Sequence, residues 1–316
     1  MSCTHPILAV DYGPNPANPD KHLVKILLRL DQVTSIQAMR DKYEFPGVSK
    51  LLLVPCGHCA ACRIKRRKEW SVRCSMESKY HKESCFVTLT YDDDHYPGKL
   101  VKSHFQGFIK ALRNSGLKIR YFGCGEYGSK VKDAKGRGRA HYHIIVFGYF
   151  PPDVKYYGLT KSGYPQYTSA FLSKIWNKGF VTVSDFTPEV AGYTAGYCDK
   201  KFQFDQYFED DDAPEFLLMS TKPGIGRQYV EEHLGKIYSR DSLIINFGSH
   251  HFGVPRYFDK VATQRNLYIE DIKELRNIYS SSFYEIKSHG FLSEEQLFEY
   301  KNNIFMNNFK RKVRSI

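Results

Sequence analysis

Residues 139–148 read RAHYHIIVFG, with two histidines one residue apart in a run of β-branched and aromatic side chains. That composition reads as a strand. Side chains two apart on a strand share a face, so His141 and His143 point one way and Tyr142, Ile144 and Val146 the other. Glu126 ends the strand-like segment before it, and a tight antiparallel pairing would set its carboxylate beside both imidazoles. Two imidazoles and a carboxylate hold a divalent cation and leave positions open for a phosphate oxygen. Taken singly, each of these residues has a plainer reading as a satisfied core histidine or a surface charge.

A nucleophile would come from residues 188–202. Thr187-Pro188-Glu189 is a helix start, with an N-cap, a proline at the first position and an early acid. Tyr193 and Tyr197 are four apart and Lys200 is three further on, so at about 100° per residue the three share one helix face. Ala191, Ala195, Cys198 and Phe202 lie on the other side and suit packing. Tyrosines at this spacing are ordinarily core; beside a cation-binding strand they acquire a role, because a phenolate can attack phosphorus while a metal polarises the scissile phosphate. A free phenol has a pKa near about 10, so a metal or Lys200 must favour the ionised form. Lys200 could equally bind the phosphate.

Cys56, Cys59 and Cys62 recur at two-residue gaps and suit zinc, which takes four ligands. Cys3, His5, His58 or Cys74 would be the fourth, the alternative being three reduced thiols; iron–sulfur ligation is a lesser option. A basic helical stretch follows, with Arg63, Lys65, Arg66, Arg67, Lys68 and Arg73 around Trp70 and Val72. It reads as a nucleic-acid contact aimed by the knuckle, or as a solvated helix face. Residues 223–227 (PGIGR) could offer backbone N–H groups to a phosphate or form a plain turn. Residues 92–94, all aspartate, read as a solvated loop.

The elements that must position these groups follow from periodicity. Residues 86–91 (FVTLTY) alternate as a strand. Ser103 is read as the cap of a helix whose Phe105, Phe108, Ile109 and Leu112 keep the i, i+3, i+4, i+7 spacing, closed by Gly116. A strand over 118–125 precedes a basic turn at 128–139 and then the histidine strand. A Pro/Gly/Tyr-rich loop leads to a helix opened by Thr168 and ended by Gly179, and 180–183 is a further strand. The order predicts an α+β fold, a central antiparallel sheet with helices segregated to one face. Residues 1–55 read as an irregular N-terminal arm, 56–82 as a Cys-rich basic segment, 83–205 as the core and 206–316 as a mainly helical region. The last begins with an acidic linker at 209–212, carries a capping-box pattern at 293–296 and ends on a basic tail of Lys310, Arg311, Lys312 and Arg314.

The chain has 316 residues and a formal net charge of +12, with 23 tyrosines and 22 phenylalanines for a sizeable core. That charge favours a polyanionic partner, nucleic acid before membrane. No apolar run approaches the ~20 residues of a membrane span, and the N-terminal residues lack the apolar core of a signal peptide. A cytoplasmic setting is expected, in which the eight cysteines serve as thiols or metal ligands, not disulfides.

The ordered set of FVTLTY, His141-Tyr142-His143 and Tyr193/Tyr197/Lys200 resembles the three motifs of HUH endonucleases. Together with Cys3-Thr-His5-Pro6, VPCGHCAAC, residues 219–227 (MSTKPGIGR) and 254–257 (VPRY), it resembles more narrowly the replication initiation proteins of gokushoviruses, microviruses with circular single-stranded DNA. The likeness runs through nearly the whole chain. It implies site- and strand-specific nicking of origin DNA, a tyrosine joined to the 5′ phosphate, a freed 3′ hydroxyl that primes rolling-circle synthesis, and a second tyrosine that rejoins the circle. Those roles would fall on Tyr193 and Tyr197, with Glu126, His141 and His143 holding Mg²⁺ or Mn²⁺. A host helicase and polymerase would be further partners. The main rival is a non-catalytic DNA-binding protein built on the cysteine knuckle; a second is a non-haem iron oxygenase with a two-histidine, one-carboxylate site, which leaves the tyrosine face unexplained.

Overall fold

The structure, a computed structural model, describes residues 3, 5–57, 59–128, 138–160, 163–197, 213–239, 244–247, 250–273 and 276. The chain divides into two compact units, Met1–Lys65 with Ser282–Ile316, and Arg66–Ser281.

In the first unit β1 (Ile7–Asn15), β2 (Asn18–Arg29) and β3 (Lys50–Val54) form an antiparallel sheet in the order β2-β1-β3, with α1 (Ile36–Tyr43) between β2 and β3. The segment expected to be an irregular arm is therefore sheet. Its strands escape pattern reading because β2 stays exposed at Leu23, Val24, Ile26 and Leu28, so no alternation marks a buried face. Helix α2 (Ala60–Ser78) begins in this unit and continues into the second.

The second unit is built on a seven-stranded antiparallel sheet. Its strands are β4 (Ser84–Tyr91), β5 (Arg120–Tyr127), β6 (Ala140–Phe147), β7 (Val154–Leu159), β8 (Pro165–Ser169), β9 (Gly179–Asp185) and β10 (Phe216–Met219), in the order β10-β5-β6-β4-β9-β8-β7. Helices α3 (Lys102–Asn114), α4 (Ala170–Trp176) and α5 (Pro188–Tyr197) pack against it. The fold is α+β, a large antiparallel sheet flanked by helices, but the helices cover both faces. Phe105, Phe108, Ile109 and Leu112 of α3 and Leu172 and Trp176 of α4 bury Val87, Leu89, Tyr142, Ile144 and Val146. Ala191 and Ala195 of α5, with Cys74 of α2, bury Phe122, Ile145 and Phe147 on the opposite face. Helix spacing alone does not tell which side of a sheet a helix returns to.

Local starts differ by a residue. Helix α3 begins at Lys102 with Val101 at its N-cap and no side-chain cap, so Ser103 lies inside it. The cap of α4 is Ser169, not Thr168, and its Oγ accepts the Leu172 N–H at 3.1 Å. The Pro/Gly/Tyr-rich loop contains the β7–β8 hairpin, whose register slips between Tyr156 and Gly158 and so breaks alternation. The C-terminal region contributes α6 (Arg227–Glu232), α7 (Leu234–Ile237), the hairpin β11 (Ile244–Phe247) and β12 (His250–Gly253), and α8 (Arg256–Gln264). It is less helical than expected, because β10 joins the main sheet beside β5 and four residues are too few to show a period. Val72 and Met76 of α2 pack with Tyr229, Val230, Ile237, Phe258 and Val261 into a second core. The acidic linker, the capping-box pattern and the basic tail lie outside the described residues.

No described helix is long and apolar enough to cross a membrane.

Candidate active site

Register assembles the site. Strand β6 lies between β5 and β4, with Glu126 opposite His141, Cys124 opposite His143, and Thr90 and Thr88 opposite the two histidines on the other side. Directly opposed residues of an antiparallel pair share a face, so Glu126, His141, His143, Thr88 and Thr90 lie together. Tyr142 faces the other way, fully buried, and is tied down there. Its hydroxyl is 2.6 Å from Tyr91 Oη, donates to Val101 O at 3.0 Å and accepts the Val101 N–H at 3.0 Å. Anchoring Tyr142 in the α3–α4 core leaves the flanking histidines no choice of face.

The three expected ligands converge. Glu126 Oε1 is 2.7 Å from His141 Nε2 and 3.2 Å from His143 Nε2, and one ligand atom from each residue lies within 4.8 Å of the others. Both Nδ1 atoms have protein partners: His141 Nδ1 is 3.1 Å from Arg139 O and His143 Nδ1 is 3.0 Å from Thr88 Oγ1. Such partners turn both Nε2 atoms toward the carboxylate, the arrangement that metal-ligating histidines usually have. Burial works to lower the basicity of His141, but the hydrogen bond and charge of Glu126 outweigh it and hold the imidazole above its ordinary value. Burial likewise raises Glu126, yet the hydrogen bonds and charges of the two histidines bring it below the usual carboxylate range. A protonated His141 satisfies both Arg139 O and Glu126; a divalent cation would take that proton's place. The donor set, nitrogen and oxygen, fits a first-row or magnesium-type cation.

The nucleophile helix is seated on the same face. Ser71 Oγ of α2 donates to Pro188 O at 2.7 Å, Arg67 Nη2 donates to Gly196 O at 3.2 Å, and Thr187 Oγ1 accepts the Val190 N–H at 3.4 Å. Ala191 and Ala195 are fully buried and let α5 approach the sheet closely. Tyr193, half exposed, stands with its ring edge-on to His143 at a centroid distance of 6.0 Å. Burial, then the negative charge of Glu126, push its phenol up to about 12. Tyr197 is the last residue of α5; its side chain, and all of Lys200, Cys198 and Phe202, lie outside the described residues.

Sequence reasoning missed several participants. Thr88 and the Arg139 carbonyl orient the histidines. Arg139 is itself latched, its guanidinium donating to Asp93 Oδ1 at 2.6 Å and to Tyr91 O at 3.1 Å, so residues 92–94 hold the start of β6 and are not only a solvated loop. Phe86 stacks on His143 at 5.3 Å. Phe180, opposite Thr90 in β9, is 71 % exposed. Alternation in FVTLTY put Phe86, Thr88 and Thr90 on one face; only register showed which residues they meet.

The basic helix is used differently from expectation. Lys65 and Lys68 are exposed and Arg63 and Arg66 half-buried. Arg67 turns inward to α5. Arg73, expected as a DNA contact, is instead sandwiched between the rings of Trp70 and Tyr257, 4.0 Å from each centroid, and donates to Ile225 O at 3.1 Å. The 223–227 turn offers an N–H as expected, but to a protein carboxylate: Gly226 N–H donates to Glu77 Oε2 at 2.7 Å, while Arg120 bonds Glu77 and Pro223 O. Of the candidate fourth cysteine-site ligands, Cys74 is buried in the sheet core, His58 lies outside the described residues, and Cys3 joins Cys56, Cys59 and Cys62.

Comparison with known proteins agrees with this constellation. A family model of replication-associated proteins of the ORF2 type matches residues 84–202, the span from β4 through α5. The chain is 38 % identical over 240 residues to replication-associated protein ORF2 of Spiroplasma virus 4, covering 71 % of this chain and 72 % of that one. It is 32 % identical over 214 residues to replication-associated protein VP4 of Bdellovibrio phage phiMH2K, covering 65 % of each. It is 31 % identical over 229 residues to replication-associated protein ORF4 of Chlamydia phage 1, covering 69 % of this chain and 55 % of that one. No solved structure matches.

Proposed function

The chain belongs to the ORF2-type family of phage replication-associated proteins, and from that premise we propose that it initiates rolling-circle replication of a phage genome as a tyrosine nickase of the HUH type. The observation that carries this reading is the meeting of Glu126, His141 and His143 on one sheet face with Tyr193 edge-on to His143.

A divalent cation, Mg²⁺ or Mn²⁺, would be held by Glu126, His141 and His143 and would draw charge from the scissile phosphate. Tyr193 Oη attacks phosphorus, its proton passing to solvent. The P–O bond to the 3′ oxygen breaks, that oxygen leaves as a 3′ hydroxyl after taking up a proton, and the 5′ phosphate remains esterified to the tyrosine. Tyr197, one turn on, repeats the attack and frees the closed circle; Lys200 neutralises charge on phosphate or phenolate. Thr90, Thr182 and Phe180 line the same face beyond the histidines, and Phe180 offers a ring on which an unpaired base stacks. Lys65 and Lys68, with Arg63 and Arg66, contact phosphates. The reaction takes place in the host cytoplasm on origin DNA, with a host helicase and polymerase extending the primer.

The test is incubation of the chain with circular single-stranded phage DNA and Mg²⁺, followed by denaturing electrophoresis. A protein–DNA band that survives SDS is expected. DNA binding with no such band under any divalent cation would leave the rival reading, a non-catalytic DNA-binding protein organised by its four-cysteine cluster.

A further inference from the structure

We infer that Cys3, Cys56, Cys59 and Cys62 form a closed structural zinc site that staples the N-terminal unit. The inference does not rest on nicking. Antiparallel pairing sets Ile7 of β1 opposite Val54 of β3, so the residues before β1 and after β3 leave the sheet side by side. Cys3 and Cys56 therefore meet although 53 positions apart in sequence, with sulfurs 3.5 Å from each other. Cys3 Sγ is 3.7 Å from Cys59 Sγ, and all four sulfurs lie within 4.8 Å of one another. A tetrahedron with Zn–S bonds of about 2.3 Å has edges of about 3.8 Å, so the sulfurs already stand near the spacing that one zinc ion requires.

The backbone supports the same assignment. The Cys59 N–H points at Cys56 Sγ at 3.2 Å, and the Cys56 N–H at Cys3 Sγ at 3.3 Å. Such N–H donors stabilise thiolate charge, which neutral thiols do not need. Cys62 sits in the first turn of α2, where the positive end of the helix dipole favours an anion. All four cysteines are unbonded, and four thiolates select a soft cation over magnesium. Four protein ligands leave no position for substrate, so the site is structural.

The unit has a use for such a staple. Among its described residues the fully buried apolar side chains are Leu8, Ala9, Val10 and Ala61, whereas Leu23, Val24, Ile26, Leu28 and Leu53 are exposed. Small units with little core depend on metal or disulfide cross-links. Binding is acid–base, not redox: zinc displaces the thiol protons to solvent, and no oxidant is needed.

The experiment uses the full-length chain, expressed with zinc and iron both supplied and purified without chelator or immobilised metal. Elemental analysis should find about one zinc per chain. Alkylation of the native protein, mapped by mass spectrometry, should leave these four cysteines unmodified until a chelator is added and then label them together. In the same step, residues 5–57 should lose protection against hydrogen exchange. Cys56→Ser/Cys59→Ser should lose the zinc, and His141→Ala/His143→Ala should keep it. Iron in zinc's place, immediate labelling of the four thiols in the wild-type chain, disulfides among them, or zinc lost only in the histidine variant would each overturn the assignment. The wild-type alkylation decides the matter even if the serine variant fails to fold.

Discussion

The imidazole and phenol orientations decide what the sheet face can do. Thr88 Oγ1 is 3.0 Å from His143 Nδ1, and losing such an outer partner typically costs about 10–100-fold in metal affinity or activity. Thr88→Val should therefore weaken Mn²⁺ dependence of nicking by about that factor while leaving the fold intact, as titration of adduct formation against Mn²⁺ would read. Serine at 88 should restore it. Tyr193 titrates at about 12, so at neutral pH the free phenol is almost wholly protonated. Adduct formation should rise as pH increases from 7 toward 9, since more phenolate is available, unless cation capture has already ionised it. A flat profile with undiminished rate would show that ionisation precedes the measured step. Tyr193→Phe and Tyr197→Phe should each leave partial nicking and impair release of closed circles, and the double change should abolish the SDS-stable adduct. Phenylalanine keeps the ring, so the loss reports the hydroxyl and not a cavity.

At the scale of elements, two buried polar centres hold the site's walls. Tyr142 locks β6 to the α3–α4 core. Tyr142→Phe keeps the ring but strands the Val101 N–H and the Tyr91 hydroxyl, and an unsatisfied buried group costs about 1–3 kcal/mol; urea denaturation should show a loss in that range. Gly123 makes the neighbouring fit: a Cβ there would lie 2.6 Å from His143 O and 2.9 Å from Phe105, so only glycine admits α3 so near the histidine strand. Glu77 joins α2 to the 223–227 turn and to β5. Burial raises its pKa, but His81, the Gly226 N–H and Arg120 outweigh it and depress the folded value. A depressed carboxylate contributes stability above its unfolded pKa and loses it as pH falls toward and through the folded value. Stability should therefore decline as pH drops below about 4.3, the ordinary glutamate value. Glu77→Gln should remove that portion of the acid transition and be less stable at neutral pH by about 3–5 kcal/mol, the usual effect of breaking a buried ion pair. Acid titration followed by circular dichroism separates the two.

For the whole molecule the relevant quantity is charge. A net +12 supports nucleic-acid affinity through phosphates, which the metal-site residues do not supply. His141→Ala/His143→Ala should abolish nicking yet keep most affinity for single-stranded DNA, with an unchanged slope of log affinity against log salt. Nicking at the wild-type rate by that variant would remove the metal assignment. Lys65→Ala/Lys68→Ala should do the reverse, lowering affinity and the steepness of the salt dependence by roughly one phosphate contact per lysine while leaving the chemistry of bound DNA unchanged.

Much of the site was legible in the sequence, because local chemistry wrote it. The two-residue period of a strand sets His141 and His143 on one face; the proline at 188 and the small residues Ala191 and Ala195 mark a helix that packs closely; the spacing of Phe105, Phe108, Ile109 and Leu112 marks the face of α3 that is buried. What pairs with what is a property of strand register and chain return, which no local pattern encodes. Tertiary structure alone brought Glu126 opposite His141 and Thr88 opposite His143, and placed α5 rather than α3 over the histidines. It also carried Cys3 to the knuckle, turned Arg67 and Arg73 from the expected DNA face into the fold, and filled the expected phosphate site with Glu77. Each of those outcomes depends on groups far apart in sequence meeting in a buried setting, where a donor or charge must find a partner and takes the one that the packing brings within reach.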